Sequence, residues 1–131
     1  RNERVFTAAI RTRIFTFLRG LQSGDAEQAL GVLETVDDAG GEAWTGERLA
    51  GVLEAYLTEH QRLRLDPEAR NLRHTYVRPS EDRQSWNVQQ MLVDPEEHND
   101  WVAELEVDLP RSRESGAPVL RLLRLGLLAA R

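Results

Sequence analysis

The sequence predicts an α+β domain, in which three N-terminal helices pack on a curved, mostly antiparallel sheet of about five strands. Two observations lead to this prediction. Apolar residues recur every three or four positions as far as residue 59 and then alternate with polar residues, so the hydrophobic pattern changes from the helical to the strand period. The strand-like segments also follow one another without helical patterns between them, which favours antiparallel pairing.

The first helix is predicted over residues 2–21. Its apolar residues step by three or four positions and form one face: Phe6, Ile10, Ile14, Phe17 and Leu21. We expect this face to belong to the core. The helix also bears four arginines that are candidate contacts to nucleic acid or to an acidic partner: Arg4, Arg11, Arg13 and Arg19.

Two further helices are predicted before residue 60. Asp25 is expected to cap the second helix, with Gln28 at the capping-box spacing and Leu33 facing inward. Thr45 is expected to cap the third helix. The buried face of the third helix is predicted to consist of Leu49, Val52, Leu53, Tyr56 and Leu57.

The second half contains five segments that are predicted as strands: 61–65, 72–78, 85–93, 101–109 and 119–128. In the fourth segment, apolar residues alternate with a row of acids: Glu104, Glu106 and Asp108. This pattern is typical of a half-buried antiparallel strand. We expect the last two strands to be neighbours, so that Arg121 or Arg124 meets these acids. Residues 111–116, which connect the two strands, are predicted as a polar loop.

The composition excludes several classes of chemistry for this chain. It has no Cys, so disulfides, thiolate catalysis and cysteine-ligated zinc are excluded. All 17 basic residues are Arg, which excludes Schiff-base catalysis and a P-loop lysine. The uncharged stretch near the C-terminus, 125–130, is far shorter than the ~20 residues of a membrane span. We therefore expect no membrane contact and a cytoplasmic location.

The net charge of −5 is the sum of opposed blocks. The two ends of the chain are basic, whereas residues 25–59 and 94–109 are strongly acidic. We expect neighbouring elements of opposite sign to pair within the fold. The alternative is that the first helix offers a basic face to RNA, DNA or an acidic partner. The overall acidity argues against strong independent binding of nucleic acid.

Candidate site residues lie on the predicted strands. Five polar or aromatic residues are candidates for the lining of a pocket: His74, Tyr76, Trp86, Gln90 and Trp101. The alternative is that the rings fill the core and that the Gln90 amide bonds to backbone. No catalytic residue is predicted. The three histidines, His60, His74 and His98, lack the spacings of known metal motifs, so no metal site is predicted, and the acids around His98 are interpreted as an ordinary turn.

Four segments together resemble a domain of unknown function at the C-terminus of actinobacterial DEAD/DEAH-box helicases of superfamily II. They are DPEAR at 66–70, WNVQQMLVDP at 86–95, HNDW at 98–101 and SRESGAP at 112–118. EAWT at 42–45, with Tyr56 and His60, also looks like this domain. The similarity covers nearly the whole chain, most strongly residues 44–125. The order of helices and then strands also resembles the nuclear-transport-factor-two-like cone.

The resemblance implies a parent protein that unwinds RNA or DNA, with ATP and Mg bound in its motor domains. This chain has no ATPase motif, so we expect no cofactor in it, and the family supplies no catalytic residue. The chain begins with Arg1 and its only methionine is Met91. We therefore expect residues 1–131 to form a single domain that is cut from the C-terminal end of a larger protein.

Three functions remain open from the sequence. The first is a noncatalytic accessory domain that docks on the helicase motor domains of the same polypeptide, binds a partner, or helps to hold RNA or DNA. The second is a cone-shaped domain that binds a small molecule or acts on it. The third is a dimerisation module that forms a homodimer through the outer face of the sheet.

Overall fold

The computed structural model describes residues 2–129 and has the predicted α+β architecture. The elements, in chain order, are α1 (Glu3–Ser23), α2 (Ala26–Leu30), β1 (Leu33–Thr35), α3 (Gly46–Glu59), a 3-10 helix (Leu72–His74), β2 (Thr75–Pro79), β3 (Ser85–Leu92), β4 (Trp101–Asp108), α4 (Leu109–Ser115) and β5 (Leu120–Leu127). Within the described residues, no helix is long and apolar enough to cross a membrane.

The strands form one curved, open sheet in the order β1-β5-β4-β3-β2. Strand β1 pairs parallel with β5, and the other neighbours pair antiparallel. The prediction of a mostly antiparallel sheet of about five strands is therefore confirmed. The likeness to the nuclear-transport-factor-two-like cone stays a prediction.

The core lies between α1 and the inner face of the sheet. Ile10, Ile14 and Phe17 of α1 are each fully buried. Strand β4 meets them in the same apolar cluster with alternate residues: Trp101, Ala103, Leu105 and Val107. Full burial of one large apolar side chain contributes about 1.5–3 kcal/mol. These contacts therefore hold α1 on the sheet, as its apolar stripe predicts.

The outer face of β4 pairs its acids with arginines of β5. In the strand register, Glu106 lies opposite Arg121 and Glu104 lies opposite Arg124. The closest nitrogen and oxygen atoms are 4.0 Å apart in the first pair and 3.5 Å apart in the second. The predicted meeting of these arginines with the acidic row is confirmed. Because the side chains are partly exposed, each pair contributes only ~0.2–1 kcal/mol and mainly favours the correct register.

The prediction of a strand over residues 61–65 is wrong. This segment makes a single bridge to the sheet, from Arg64 to Val93. The carbonyl of Leu63 instead accepts a hydrogen bond from the side-chain amide of Gln22 at 2.6 Å. The Gln22 side chain of α1 thus occupies a backbone carbonyl that would otherwise be available to pair with a neighbouring strand.

The strand predicted over 72–78 begins later, at Thr75. Residues 72–74 form a 3-10 helix instead. The Asn71 side chain accepts a hydrogen bond from the backbone N–H of Arg73 at 2.8 Å and so caps this helix. An Asn in this role favours a turn over an extended chain.

Leu33 belongs to a strand, and its predicted place on the inner face of α2 is wrong. Helix α2 ends at Leu30, and Leu33 pairs with Leu120 of β5. Strand β1 is only three residues long. It is too short to show the alternation that predicts a strand, and its pairing depends on a partner far along the chain.

The loop predicted over residues 111–116 is also wrong, because α4 covers most of it. The Asp108 side chain accepts a hydrogen bond from the backbone N–H of Arg111 at 3.0 Å and caps the helix. Pro110 lies in the first turn, and Gly116 ends the helix in the left-handed conformation with φ of 79°. This order of Asp, Pro and Gly is a helix signal that the sequence prediction missed.

The buried face of α3 is narrower than predicted. Only Leu49 and Tyr56 are buried among the five predicted residues, while Val52 and Leu53 pack partly against the core. Leu57 is 45% exposed. Leu49 and Tyr56 are two turns apart, so they form one line along the helix, and Leu57 lies about 100° away from it.

Gly20 is expected to be required where α1 and α2 cross. A Cβ atom at this position would lie 2.7 Å from the backbone nitrogen of Ala29 and 2.9 Å from the carbonyl oxygen of Asp25. Both atoms are backbone, so the two helices would have to separate. We predict that Gly20→Ala lowers the free energy of unfolding by ~1–3 kcal/mol, measured by urea denaturation.

Gly51 provides the matched control. It lies inside α3, and a Cβ atom there would have no neighbour within 4 Å. Since Ala is the better helix former by ~1 kcal/mol, Gly51→Ala should stabilise the domain. A Gly20→Ala variant that is as stable as the Gly51→Ala variant would show that the helices are not in close contact.

Candidate functional site

The five residues predicted as a pocket lie in different parts of the fold. Tyr76 is 57% exposed, whereas Gln90 is fully buried and His74 is 6% exposed. Trp86 pairs with Val107 and Trp101 pairs with Leu92, so the two indoles are roughly 20 Å apart along the β3–β4 ladder. The structure therefore does not bring these five side chains together around one cavity.

Gln90 is held by a chain of hydrogen bonds that begins on α1. Arg11 Nε donates to Thr75 Oγ1 at 3.2 Å, and Thr75 Oγ1 donates to Gln90 Oε1 at 2.5 Å. The amide nitrogen of Gln90 donates to the carbonyl of Met91 at 3.2 Å. These bonds satisfy the buried amide, as buried polar groups require. The bond from the Gln90 side-chain amide to the Met91 carbonyl agrees with the alternative in which this amide bonds to backbone.

The edge of the sheet at β2 exposes apolar side chains. Tyr76 and Val77 are 57% and 38% exposed, and they line a shallow depression with Arg78, Asn87 and Gln89. The dimerisation alternative would use the outer face of the sheet, to which Tyr76 belongs, and it stays a prediction.

A groove of about 310 Å³ runs along one flank of α1. We call it the arginine groove, and its lining residues are Ala8, Arg11, Thr12, Phe15, Arg19 and Arg70. Helix α1 supplies all of them except Arg70, which ends the turn at 67–70. Arg11 Nη2 donates to the Arg70 carbonyl, so the arginine from the helix ties this turn to α1.

The arginine groove is electropositive. Arg11, Arg19 and Arg70 form no ion pair with any acid among residues 2–129. Burial and the neighbouring Arg70 guanidinium lower the pKa of Arg11 from its ordinary value. Arg19 is exposed and makes one long contact, from Nη2 to Thr16 Oγ1 at 3.4 Å. Arg11 already donates from Nε and Nη2, and Arg70 donates from Nε to the Leu65 carbonyl at 2.9 Å, so an anion in this groove would meet the remaining N–H groups of the three guanidinium groups.

The other two arginines predicted on α1 do not line the groove. Arg13 donates from Nη2 to the carbonyl of Val32 at 2.9 Å, so it joins α1 to the segment before β1. Arg4 is exposed in the first turn of the helix. Of the four predicted contacts, Arg11 and Arg19 lie together, and Arg70 was missed because the turn that bears it has no periodic pattern.

A second polar site lies where α3 ends against the turn between β3 and β4. We call it the His60 cluster, and its residues are Tyr56, Glu59, His60, Asp94, His98, Asp100 and Trp101. His60 Nε2 lies 2.8 Å from Asp100 Oδ1. The His60 ring packs on the rings of Tyr56 and His98, with centroids 4.9 Å and 5.7 Å away. Trp101 Nε1 donates to Glu59 Oε1 at 3.2 Å.

Asp94 is the fully buried carboxylate of the His60 cluster. Burial disfavours its charge, but hydrogen bonds from the backbone N–H groups of Asn99 and His98 outweigh this effect and keep the pKa of Asp94 below its ordinary value. A third N–H, that of Glu96, donates to Oδ1 at 3.0 Å. Burial and the nearby carboxylates of Asp94 and Asp100 raise the pKa of Tyr56, so its phenol stays protonated.

The His60 cluster is not among the predicted sites. No metal site was predicted for its histidines, and the acids around His98 were interpreted as an ordinary turn. The available signal was the resemblance itself, because Tyr56, His60 and the segments 86–95 and 98–101 are among the residues that support it. The structure brings these separate segments together.

These features define the class of the protein: an α+β domain with helices on one face of an open, five-stranded sheet, an arginine groove and a buried histidine–carboxylate cluster. No curated protein and no solved structure matches the chain. The chain belongs to the family described as Domain of unknown function (DUF3516), whose sequence profile matches residues 1–125.

Protonation of His74 is expected to destabilise the fold. Burial first, and then the Arg73 guanidinium, lower the pKa of His74 from its ordinary value of 6.5. The unfolded chain therefore binds a proton at this position more readily than the folded chain. The free energy of unfolding should fall as the pH decreases through 6.5 towards the lower pKa of the folded state.

The His74→Gln variant isolates this effect, since Gln does not titrate. Urea denaturation of both proteins between about pH 8 and pH 5 should show a smaller loss of stability for the variant. Parallel pH profiles for the two proteins would mean that His74 has the same pKa in both states.

Proposed function

We propose that this domain is a noncatalytic accessory module of an ATP-dependent helicase, in which the arginine groove contacts the phosphate backbone of RNA or DNA. The observation that supports this proposal is the groove, where Arg11, Arg19 and Arg70 meet without an acidic partner among the described residues. The resemblance of the chain to the C-terminal domain of such helicases supplies the context.

The chemistry of the groove suits phosphate better than it suits a base. A guanidinium presents a planar fork of donors that matches two phosphate oxygens. Phe15, the aromatic residue of the groove, is only 6% exposed, so little of its ring is available for stacking. We therefore expect binding that is independent of sequence and sensitive to salt.

The charge balance of the chain favours an accessory role over independent binding. The groove is positive, but the chain as a whole has a net charge of −5. The long-range field thus works against a polyanion, while the local donors favour it. Such a site has weak affinity alone and becomes effective when a motor on the same polypeptide holds the strand nearby at high effective concentration.

The proposal predicts that charge reversal in the groove weakens nucleic-acid binding. The measurement is fluorescence anisotropy of labelled single-stranded RNA and DNA oligonucleotides at several salt concentrations. We expect Arg19→Glu to lower the affinity at low salt by about tenfold and to reduce the dependence of affinity on salt, because one phosphate contact is lost.

Arg113→Glu is the matched control. Arg113 is exposed in the last turn of α4, lies outside the groove and forms no ion pair with a described residue, so the substitution changes the net charge equally. Equal losses in the two variants would show that only total charge matters, and the absence of binding by the unaltered chain would contradict the proposal. Displacement of the oligonucleotide by a mononucleotide at similar concentration would favour the small-molecule alternative.

The helicase context has a separate test. We expect the coding sequence upstream of Arg1 to encode motor domains with ATP-binding motifs. An upstream sequence without them would remove the helicase from the proposal and would leave the phosphate-binding groove to be judged by the anisotropy measurements.

A further inference from the structure

The His60 cluster contains a buried ring nitrogen that has no partner. A carboxylate accepts hydrogen bonds, so the 2.8 Å contact between His60 Nε2 and Asp100 Oδ1 places a proton on Nε2. In the neutral imidazole, Nδ1 then carries a lone pair. His60 is only 4% exposed, so this nitrogen is buried. It has no hydrogen-bond partner within the described chain. Buried polar atoms of this kind are rare in native proteins.

The unpartnered nitrogen faces a second acceptor. Asp94 Oδ1 lies 3.8 Å from His60 Nδ1, and the Asp94 side chain is fully buried. The backbone N–H groups of Glu96 and His98 donate to Oδ1 at 3.0 Å and 3.1 Å and fix its position. A lone pair and a carboxylate that face each other in a buried site repel unless a cation lies between them.

His98 completes a set of three ligands at the surface. One ligand atom from each of His60, Asp94 and His98 lies within 4.8 Å of the other two. His98 is exposed, so the site is open to solvent on this side. The flanking residues, Glu97 and Asn99, have positive φ angles of 59° and 50°, and the resulting turn brings His98 back over the His60 ring.

We propose that His60, Asp94 and His98 bind a divalent transition-metal ion of the Zn²⁺ type. Two imidazoles and one carboxylate are ligands that this class of ion prefers, and three protein ligands leave a position for water. Ligand atoms at ~2.0–2.1 Å from a tetrahedral ion are about 3.4 Å apart, which is close to the 3.8 Å between His60 Nδ1 and Asp94 Oδ1. Asp100 then orients His60 by accepting the proton of its other nitrogen.

A second group of possible ligands shares His60. One ligand atom from each of Glu59, His60 and Asp100 also lies within 4.8 Å of the other two. These carboxylates already accept hydrogen bonds, from Trp101 Nε1 at 3.2 Å and from His60 Nε2 at 2.8 Å. An ion on His60 Nε2 would displace the proton that Asp100 accepts, whereas an ion beside Asp94 meets the free lone pair of His60 Nδ1. The geometry therefore favours the group that contains His98.

The ion would fasten the end of α3 to the turn between β3 and β4. His60 follows the last residue of the helix, and Asp94 and His98 belong to the turn. Because the unfolded chain does not hold the three ligands together, a bound ion stabilises the folded state. This role is separate from the phosphate contacts of the arginine groove, so the two proposals stand or fall independently.

The test is a calorimetric titration of the 131-residue chain with Zn²⁺ after treatment with a chelator. We expect one ion per chain and a higher thermal unfolding midpoint with Zn²⁺. Titration with Co²⁺ should produce the visible absorption bands of a low-coordinate site. The absence of stoichiometric binding would overturn the proposal.

The variants use exposed or partly exposed positions, so that loss of folding does not explain the result. His98→Ala should weaken Zn²⁺ binding at least about tenfold and remove the Co²⁺ bands. Asp100→Asn should weaken binding by about 10–100-fold through the loss of the orienting carboxylate. Glu96→Gln, which removes an exposed acid from the same turn outside both ligand groups, should bind as the unaltered chain does. Unaltered affinity in His98→Ala would overturn the assignment of His98.

Discussion

Burial of one face of α1 against the sheet is the constraint on which the rest of the structure depends. Because Ile10, Ile14 and Phe17 must face the strands, the flank of the helix that bears Arg11 and Arg19 lies at the surface. The same orientation places Gly20 of α1 against the backbone of α2. One apolar stripe thus decides where the helices pack and where the arginine groove opens. The groove is therefore largely a consequence of the core, and the turn that bears Arg70 completes it.

The charges of the chain are divided between pairing and exposure. Several acids pair with arginines within the fold, as Glu104 and Glu106 of β4 do with β5 and as Asp38 does with Arg48 at 2.7 Å. The Arg48 guanidinium first, and then backbone N–H groups, hold the pKa of Asp38 below its ordinary value. The arginine groove differs from these pairs, because its three arginines have no acidic partner among the described residues. Net charge therefore describes this molecule poorly, and the distribution of unpaired groups describes it better.

Periodic side chains allowed α1 and strands β3, β4 and β5 to be predicted from the sequence, because each element shows its buried face in its own residues. Features that depend on a few distant contacts could not be predicted. Strand β1 is a strand only because it pairs with β5. In the segment 61–65, the Leu63 carbonyl accepts a hydrogen bond from the Gln22 side chain in place of a strand partner. In the sequence, Arg13 cannot be distinguished from the other arginines of α1, but in the structure it donates to the backbone carbonyl of Val32. The His60 cluster joins a helix end to a later turn, so no local spacing indicates it.

The position of β5 has a consequence for how the chain folds. It is the last strand in the sequence, yet it lies between β1 and β4 in the sheet. Its pairing with β1 joins Leu33 to Leu120. This pairing closes a long loop of the chain and therefore costs conformational entropy. During synthesis, β1 has no partner strand until β5 leaves the ribosome. A chain whose synthesis stops before β5 would therefore expose apolar residues of the core to solvent, and it would depend on chaperones to avoid aggregation.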